Sequence, residues 1–184
     1  MTQNASSGRV LDDAAALLLT PGGLSLDDLD AGLAHAMGPG TDYADLYFQR
    51  IWQESWVLED GVVKDASYNI DGGVGVRSLA GEKTGFAYSN QIDAAALADT
   101  GRTAAGISRS GSSGTVASSI ITEAPSFYAG IDPLNGLSAE DKVAMLKEAD
   151  RIARSLDPSI SQVSASLSAL YEVVMVRASD GTLA

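Results

Sequence analysis

The chain has 184 residues, 45% of them apolar, so it is long enough and apolar enough to bury a core. Its 12 Lys and Arg against 24 Asp and Glu give a formal charge of −12, without the cationic cluster that binds nucleic-acid phosphates. The sequence has no cysteine, which excludes disulfides and thiolate zinc sites, and its first apolar run, residues 14–19, is too short to cross a membrane. We therefore expect a cytoplasmic protein that binds neither nucleic acid nor a membrane.

Capping residues and apolar spacing predict three helices. One begins after Ser25, with Asp28 in the capping-box position, and ends at the Gly-Pro-Gly of residues 38–40. A second helix opens at Asp93, and a third opens at Ser138. The third helix is predicted to pack through an apolar stripe of five side chains: Val143, Leu146, Ala149, Ile152 and Leu156.

Alternating apolar and polar residues predict an antiparallel sheet. The predicted strands are residues 43–58, 62–70, 74–79, 84–88 and 163–176. The Asp60-Gly61 pair is the strongest hairpin signal, because glycine tolerates the positive φ that such turns require. The sequence therefore predicts an α+β fold, an antiparallel multi-stranded sheet with about three packed helices.

One domain is predicted for residues 25–184, after a poorly determined segment at residues 1–24. Residues 109–119 are rich in Ser and Gly and are predicted to form a flexible connector, the one internal boundary. A further hairpin turn is predicted at residues 179–182, where only two residues remain to pair back. We therefore expect the chain to stop inside a hairpin and to leave an exposed sheet edge.

No catalytic or metal-binding set is predicted within the chain. Zinc sites of hydrolases need several ligands, and His35 is the only histidine, on the first predicted helix. No Gly-x-Ser-x-Gly turn marks a serine nucleophile. The glycine-rich runs at residues 71–75 and 111–114 lack the helix start or the lysine of a phosphate loop. A bend or a close backbone contact explains both runs better.

Four residues form a candidate substrate- or partner-binding set. Trp52, Glu54 and Trp56 alternate along a predicted strand, so they share one aromatic and acidic face. That face either binds a peptide or partner or packs against a helix, and packing is the commoner use. Arg77 on the following strands either anchors a substrate carboxylate or forms a structural salt bridge.

Six segments carry a family resemblance. They are residues 42–49 (DYADLYFQ), 54–61 (ESWVLEDG), 67–77 (SYNIDGGVGVR), 81–88 (GEKTGFAY), 165–168 (ASLS) and 178–184 (ASDGTLA). These runs resemble the amino-terminal domain of the TldD/PmbA (TldD/TldE) zinc metallopeptidase family, and the second and fourth favour its TldD branch. The resemblance spans nearly the whole chain and fits least over the first twenty residues and the Ser/Gly connector.

The resemblance implies a bacterial cytosolic zinc peptidase that cleaves short or unfolded peptides and removes leader peptides. It also implies a PmbA/TldE-type partner subunit, as a heterodimer, or self-association, and an older family label describes modulators of DNA gyrase. The family's zinc motif, His-Glu-x-x-x-His with a later Cys, has no counterpart here. We therefore expect zinc in the full-length protein, none in this segment, and a chain truncated before the zinc-binding carboxyl-terminal domain.

Two other readings stay open at this point. The chain is alternatively a non-catalytic protein-binding module, such as a modulator of DNA gyrase whose acidity imitates DNA. Its acidic residues are interspersed with apolar ones, which weakens that hypothesis. A purely structural role as a dimerisation scaffold is the third reading.

Overall fold

The structure, a computed structural model, describes residues 4–109 and 131–184, with side chains from Val10 onward. Within these ranges the elements are α1 (Asn4–Leu18), α2 (Leu26–Ala36), β1 (Tyr43–Glu59), β2 (Val62–Ala80), β3 (Lys83–Ser89), α3 (Ala94–Arg109), α4 (Ala139–Leu156) and β4 (Ser164–Ala178). The strands form one antiparallel sheet in the order β3-β2-β1-β4. The α+β prediction is confirmed, whereas the predicted connector lies outside the described residues from position 110 onward.

Helix α1 was not predicted. Its sequence lacks a clear capping pattern, and the apolar run at residues 14–19 was judged only to be too short to cross a membrane and was not assigned to a helix. In the structure Ala14, Leu18 and Leu19 are buried in the core, and α1 leads into a short 3-10 turn, Thr20–Gly22. None of the helices in residues 4–109 and 131–184 combines the length and apolar character that crossing a membrane requires.

The chain divides into two compact units. Among the described residues, the first contains residues 4–50, 72–109 and 173–184, and the second contains residues 51–71 and 131–172. The first unit has the larger core, whose fully buried members include Leu18, Leu29, Leu46, Phe48, Val76 and Met175. In the second unit α4 supplies Leu146, and the strands supply Leu58.

The predicted helix caps are confirmed. The Asp28 carboxylate accepts hydrogen bonds from the main-chain nitrogen and the hydroxyl of Ser25, at 2.8 and 2.7 Å. Ser138 and Asp141 form the same box at the start of α4, where the Ser138 hydroxyl accepts from the Asp141 nitrogen at 3.1 Å. At α3 the Asp93 carboxylate accepts from the Ala96 nitrogen at 2.8 Å. Each cap satisfies amides that the first helical turn leaves unpaired.

The packing stripe predicted for α4 was largely wrong. The buried residues of this helix are Lys142, Leu146 and Asp150, spaced four apart along one face. Of the predicted stripe, Leu146 is buried and Val143 is half-buried, but the other three are exposed: Ala149, Ile152 and Leu156. A lysine and an aspartate took inward positions because each finds a partner of opposite charge there.

Strand β2 is one strand of 19 residues, so the predicted break between residues 70 and 74 was wrong. Near the first hairpin its half-buried side chains are odd-numbered, as at Val63 and Ser67, whereas from Val74 onward the buried ones are even-numbered. A β-bulge, which inserts one extra residue into a strand, produces such a change. The change falls between Ser67 and Val74, a stretch that contains Gly72 and Gly73.

These two glycines lie against neighbouring backbone. A Cβ atom on Gly72 would stand 2.7 Å from the Gln49 carbonyl oxygen, and one on Gly73 would stand 2.3 Å from the Ser89 carbonyl oxygen. Both contacts are too short for any side chain. The interpretation of this run as a close backbone contact, and not a phosphate loop, is therefore supported.

The strand ends are joined by tight turns. Asp60 and Gly61 have φ angles of 50° and 75°, as the predicted β1–β2 hairpin requires. The predicted turn after β4 is also present, with Gly181 at φ 96°. Leu183 pairs back with Arg177 in an antiparallel bridge.

Asp60 also connects the β1–β2 hairpin to Arg154 of α4 and to Val163, both in the second unit. Its carboxylate accepts hydrogen bonds from Arg154 Nη2 at 2.6 Å and from the Val163 nitrogen at 3.0 Å. The Val163 amide, and next the Arg154 guanidinium, hold the pKa of Asp60 below its ordinary value of 3.8. A lowered pKa in the folded state means that the ionised carboxylate stabilises the fold.

We expect Asp60→Asn to destabilise the protein at neutral pH and to cost progressively less in acid. The pKa of Asp60 is lower in the folded state than its ordinary value of 3.8. Its contribution to the free energy of unfolding is therefore fully present above pH 3.8 and is lost as the pH falls through the folded-state pKa. Urea unfolding of both proteins over this pH range measures the difference. Asp65→Asn, at an exposed position of β2, is the matched control. A difference that is independent of pH would contradict the prediction.

Candidate functional site

The aromatic and acidic face of β1 lies in the second unit. Trp52, Glu54 and Trp56 occupy alternate positions of the strand and so point to the same side. Glu54 is buried, whereas both tryptophans are half-buried. Burial of a carboxylate requires a partner, since an unpaired buried charge is costly.

Lys142 of α4 is that partner. Its Nζ lies 2.7 Å from Glu54 Oε1, and the two side chains are only 6% and 9% exposed. The same Nζ donates a hydrogen bond to the Leu134 carbonyl oxygen at 2.8 Å. Oε1 has no well-aligned hydrogen bond, so the contact is mainly an ion pair. In this structure Glu54 faces a helix, which is the packing alternative for this face.

The tryptophans have different surroundings. The rings of Trp52 and Tyr171 are tilted by 32°, with centroids 5.6 Å apart, a favourable aromatic contact. The Trp56 Nε1 atom is buried and has no hydrogen-bond partner among the described residues. Buried indole N–H groups are usually paired, so Trp56 is the residue of this face whose bonding is incomplete.

Arg77 lies in the first unit, on β2. Its Nε and Nη2 atoms donate to Asp45 Oδ2 at 2.8 and 2.5 Å, and its Cζ atom lies 5.9 Å from the centre of the Tyr43 ring. Asp45 is buried and the Arg77 side chain is 48% exposed. Arg77 thus forms the structural salt bridge that was one of its two predicted uses, and its exposed part remains accessible.

The electrostatics around Arg77 follow from these contacts. The hydrogen bonds to Asp45 raise the pKa of the Arg77 guanidinium, which keeps it charged. Burial, followed by the charges of Asp45 and Asp180, raises the pKa of the Tyr43 phenol. The Tyr43 phenol therefore stays neutral at neutral pH, and its oxygen accepts a hydrogen bond from Arg77.

Sequence reasoning missed both buried partners, Asp45 and Lys142. Asp45 alternates with Tyr43 and Tyr47 along β1, which places it on the face opposite to the buried Leu46. The spacing of Lys142 with Leu146 was visible in the sequence. Charged residues are seldom buried, and the sequence pattern did not indicate that Asp45 would pair with Arg77 or that Lys142 would pair with Glu54.

No metal site is formed by residues 4–109 and 131–184, where His, Cys, Asp and Glu do not gather in groups of three or more. His35 is exposed on α2 and lines a small cleft of about 110 Å³ together with Asp28. A second cleft, of about 360 Å³, lies between β3 and α3 and is lined mainly by small and hydroxyl side chains such as Ala87 and Thr100. The described residues therefore do not fit a catalytic metal ion.

Two family models match successive parts of the chain. Residues 44–108 match the PmbA/TldA metallopeptidase domain 1, and residues 132–184 match the PmbA/TldA metallopeptidase central domain. Together they cover more than half of the chain, in the order of the family's domains. The chain belongs to the PmbA/TldD family of metallopeptidases.

Within this family the chain is similar to proteins called metalloprotease TldD homologues. The one from Haemophilus influenzae is 44% identical over 177 residues, which are 95% of this chain and 37% of that protein. The one from Buchnera aphidicola of Acyrthosiphon pisum is 41% identical over 142 residues, which are 77% of this chain and 29% of that protein. The chain thus spans only about a third of the length of these relatives.

Solved structures share the fold. A proposed modulator of DNA gyrase from Bacteroides thetaiotaomicron superposes with a TM-score of 0.70 at 16% identity, over 86% of this chain and 37% of that one. TldE from Thermococcus kodakarensis superposes with a TM-score of 0.65 at 15% identity, over 85% of this chain and 36% of that one. At such identities the likeness shows the fold alone.

Proposed function

We propose that this chain is the amino-terminal part of a TldD-type zinc metallopeptidase subunit that cleaves short or unfolded peptides, including leader peptides. The observation that carries the proposal is the match to two consecutive family domains, together with 44% identity to a metalloprotease TldD homologue. In this proposal the segment supplies scaffold, subunit interface and substrate channel. Zinc is held by residues outside the described ones, which form no metal site.

The proposal includes a PmbA/TldE-type partner subunit and a cytoplasmic location. Solved TldE shares this fold, which supports a related partner of similar shape. The absence of cysteine is compatible with a reducing compartment. The test is to extend the chain to the length of its relatives, co-express it with such a partner, and measure bound zinc and peptide cleavage. Neither zinc nor cleavage in that assembly would contradict the proposal.

Trp52 and Trp56 of the second unit, on the strand that carries Glu54, are proposed to line the substrate channel, and Arg77 of the first unit is proposed separately as an anchor for a substrate carboxylate. Support comes from the unpaired Nε1 atom of Trp56 and from the exposed part of the Arg77 guanidinium, which is able to receive a carboxylate. Glu54 is buried against Lys142 and is proposed to position the strand that carries the tryptophans.

We expect Trp56→Ala and Arg77→Ala each to raise KM for peptide cleavage by the full-length pair about tenfold or more. A hydrogen bond to a charged group contributes about 1.5 to 3 kcal/mol, and tenfold corresponds to about 1.4 kcal/mol. Tyr68→Ala is the control for an exposed aromatic residue of the same unit, and Arg102→Ala is the control for an arginine in an exposed ion pair. Unchanged cleavage in both test variants would reject the lining.

A modulator of DNA gyrase is the alternative function. The solved proteins of similar fold that carry this description are 16% identical to this chain, which ranks the alternative second. A pull-down with purified gyrase distinguishes the two. Stable association of the 184-residue chain with gyrase, without any peptidase activity of the extended pair, would favour the alternative.

A further inference from the structure

The turn that precedes α4 contains the pair Asn135-Gly136. The sequence has four asparagines, and Asn135 is the only one that a glycine follows. Both residues of the pair are exposed, and the Gly136 nitrogen makes no hydrogen bond to another residue in the described parts of the chain. Such a pair favours loss of the side-chain amide, because glycine has no side chain to keep its nitrogen away from the asparagine Cγ atom.

The reaction is an attack of the main chain on a side chain. After the Gly136 nitrogen loses its proton to base, it bonds to Asn135 Cγ, the Cγ–Nδ2 bond breaks, and Nδ2 leaves as ammonia. Water then opens the succinimide ring at either carbonyl, which leaves aspartate or isoaspartate at position 135. One water is consumed for each ammonia released, and the product gains one negative charge. The reacting groups are neighbours in the chain, so the reaction needs no partner.

The contacts of Asn135 indicate what the modification would change. Its Nδ2 atom donates a hydrogen bond to Asp132 Oδ2 at 2.6 Å, and the Leu134 nitrogen donates to Asp132 Oδ1 at 2.8 Å. A carboxylate at position 135 is unable to donate, and it places a second negative charge beside Asp132. The modified turn therefore loses a hydrogen bond and gains a repulsion.

This turn is connected to the buried ion pair under α4. The Leu134 carbonyl oxygen accepts a hydrogen bond from Lys142 Nζ at 2.8 Å, and the same Nζ lies 2.7 Å from Glu54 Oε1. Isoaspartate lengthens the main chain by one carbon in the residue that follows Leu134. A change at Asn135 thus reaches a contact that holds α4 in the second unit.

We propose that Asn135-Gly136 is a site of spontaneous deamidation, and that the modification loosens the attachment of α4. The proposal goes beyond the peptidase function and does not depend on it. It makes Asn135 a position at which the chain changes irreversibly with age, without any added reagent except water.

Peptide mapping by mass spectrometry tests the reaction itself. The 184-residue chain is incubated at mildly alkaline pH, and the conversion of each asparagine is followed with time. We expect Asn135 to react about tenfold or more faster than Asn69 and Asn90, which are also exposed but precede isoleucine and glutamine. Equal rates at these three asparagines would overturn the proposal.

Gly136→Ala is the matched variant for the role of glycine. The φ angle of Gly136 is not positive, and a Cβ atom there would lie 3.6 Å from the Pro133 carbonyl oxygen, an ordinary contact. The variant is therefore expected to fold and to slow deamidation of Asn135 about tenfold. An unchanged rate would also count against the proposal.

Hydrogen exchange measures the effect on α4. Asn135→Asp reproduces the aspartate product, and the incubated chain contains both products. In both samples we expect the amides of α4 to exchange about threefold or more faster than in the fresh chain. Asn69→Asp adds the same charge at an exposed position of the same unit and is expected to leave α4 unchanged. Unchanged exchange in both samples, or equal acceleration by Asn69→Asp, would refute the loosening of α4.

Discussion

Lys142→Met is expected to lower the free energy of unfolding by about 3 to 5 kcal/mol. The reason is that Glu54 would remain buried without its counter-ion, at a site where its side chain is 9% exposed. The Leu134 carbonyl oxygen would also lose its hydrogen-bond donor. Denaturant unfolding at neutral pH measures the change, and circular dichroism shows whether the variant folds.

Two further variants make this result interpretable. Lys147→Met changes an exposed lysine of the same helix and is expected to alter stability by no more than about 0.5 kcal/mol. Combining Lys142→Met with Glu54→Leu removes both charges and is expected to recover most of the loss, because apolar pairs replace buried ion pairs at little cost. If Lys142→Met alone costs less than about 1 kcal/mol, the buried ion pair is not what holds α4 to the strand.

The second large effect is expected at Gly85, where α3 lies directly on β3. A Cβ atom at this position would stand 1.9 Å from the Ala104 carbonyl oxygen and 2.8 Å from the Ser108 nitrogen, both backbone atoms of the helix. Gly85→Ala therefore forces the helix away from the strand. We expect a loss of about 3 kcal/mol, at the upper end of the cost of overpacking.

Gly106→Ala is the control for that experiment, since it adds the same methyl group to α3, the helix that a side chain at Gly85 of β3 would strike. Apart from the nearby backbone of α3 itself, no atom lies within 4 Å of a Cβ at Gly106, and alanine is the better helix former, so stability should rise by about 1 kcal/mol. Opposite signs for the two substitutions are the expected result. Equal effects would mean that conformational freedom, and not the contact with α3, determines the cost at Gly85.

Local chemistry made much of the fold predictable. Ser25 and Ser138 begin helices because their side chains and the acids three residues later satisfy the first-turn amides. Asp60-Gly61 makes a hairpin because both residues adopt positive φ. These signals act over three or four residues, and a single sequence displays them directly.

Features that depend on distant partners were not predictable in the same way. The position of Lys142 on a buried face depends on Glu54, which is 88 residues away in the sequence. The two-tryptophan face was recognised, but its contact with α4 was one of two alternatives that composition could not separate. Arg77 was singled out, yet its partner Asp45 was not, because nothing local distinguishes that aspartate from exposed ones.

The change of facing within β2 has a consequence for how this chain tolerates insertions and deletions. Before Gly72 the side chains that point inward have odd residue numbers, and after Gly73 they have even ones. The number of residues between the two stretches therefore determines which side chains are buried. Deletion of one residue between Ser67 and Val74 would reverse the facing of one stretch relative to the other. Either Val63 and Ser67, or the buried side chains from Val74 onward, would then point to solvent. A change of two residues would preserve both orientations. We therefore expect β2 to tolerate insertions or deletions of two residues better than those of one.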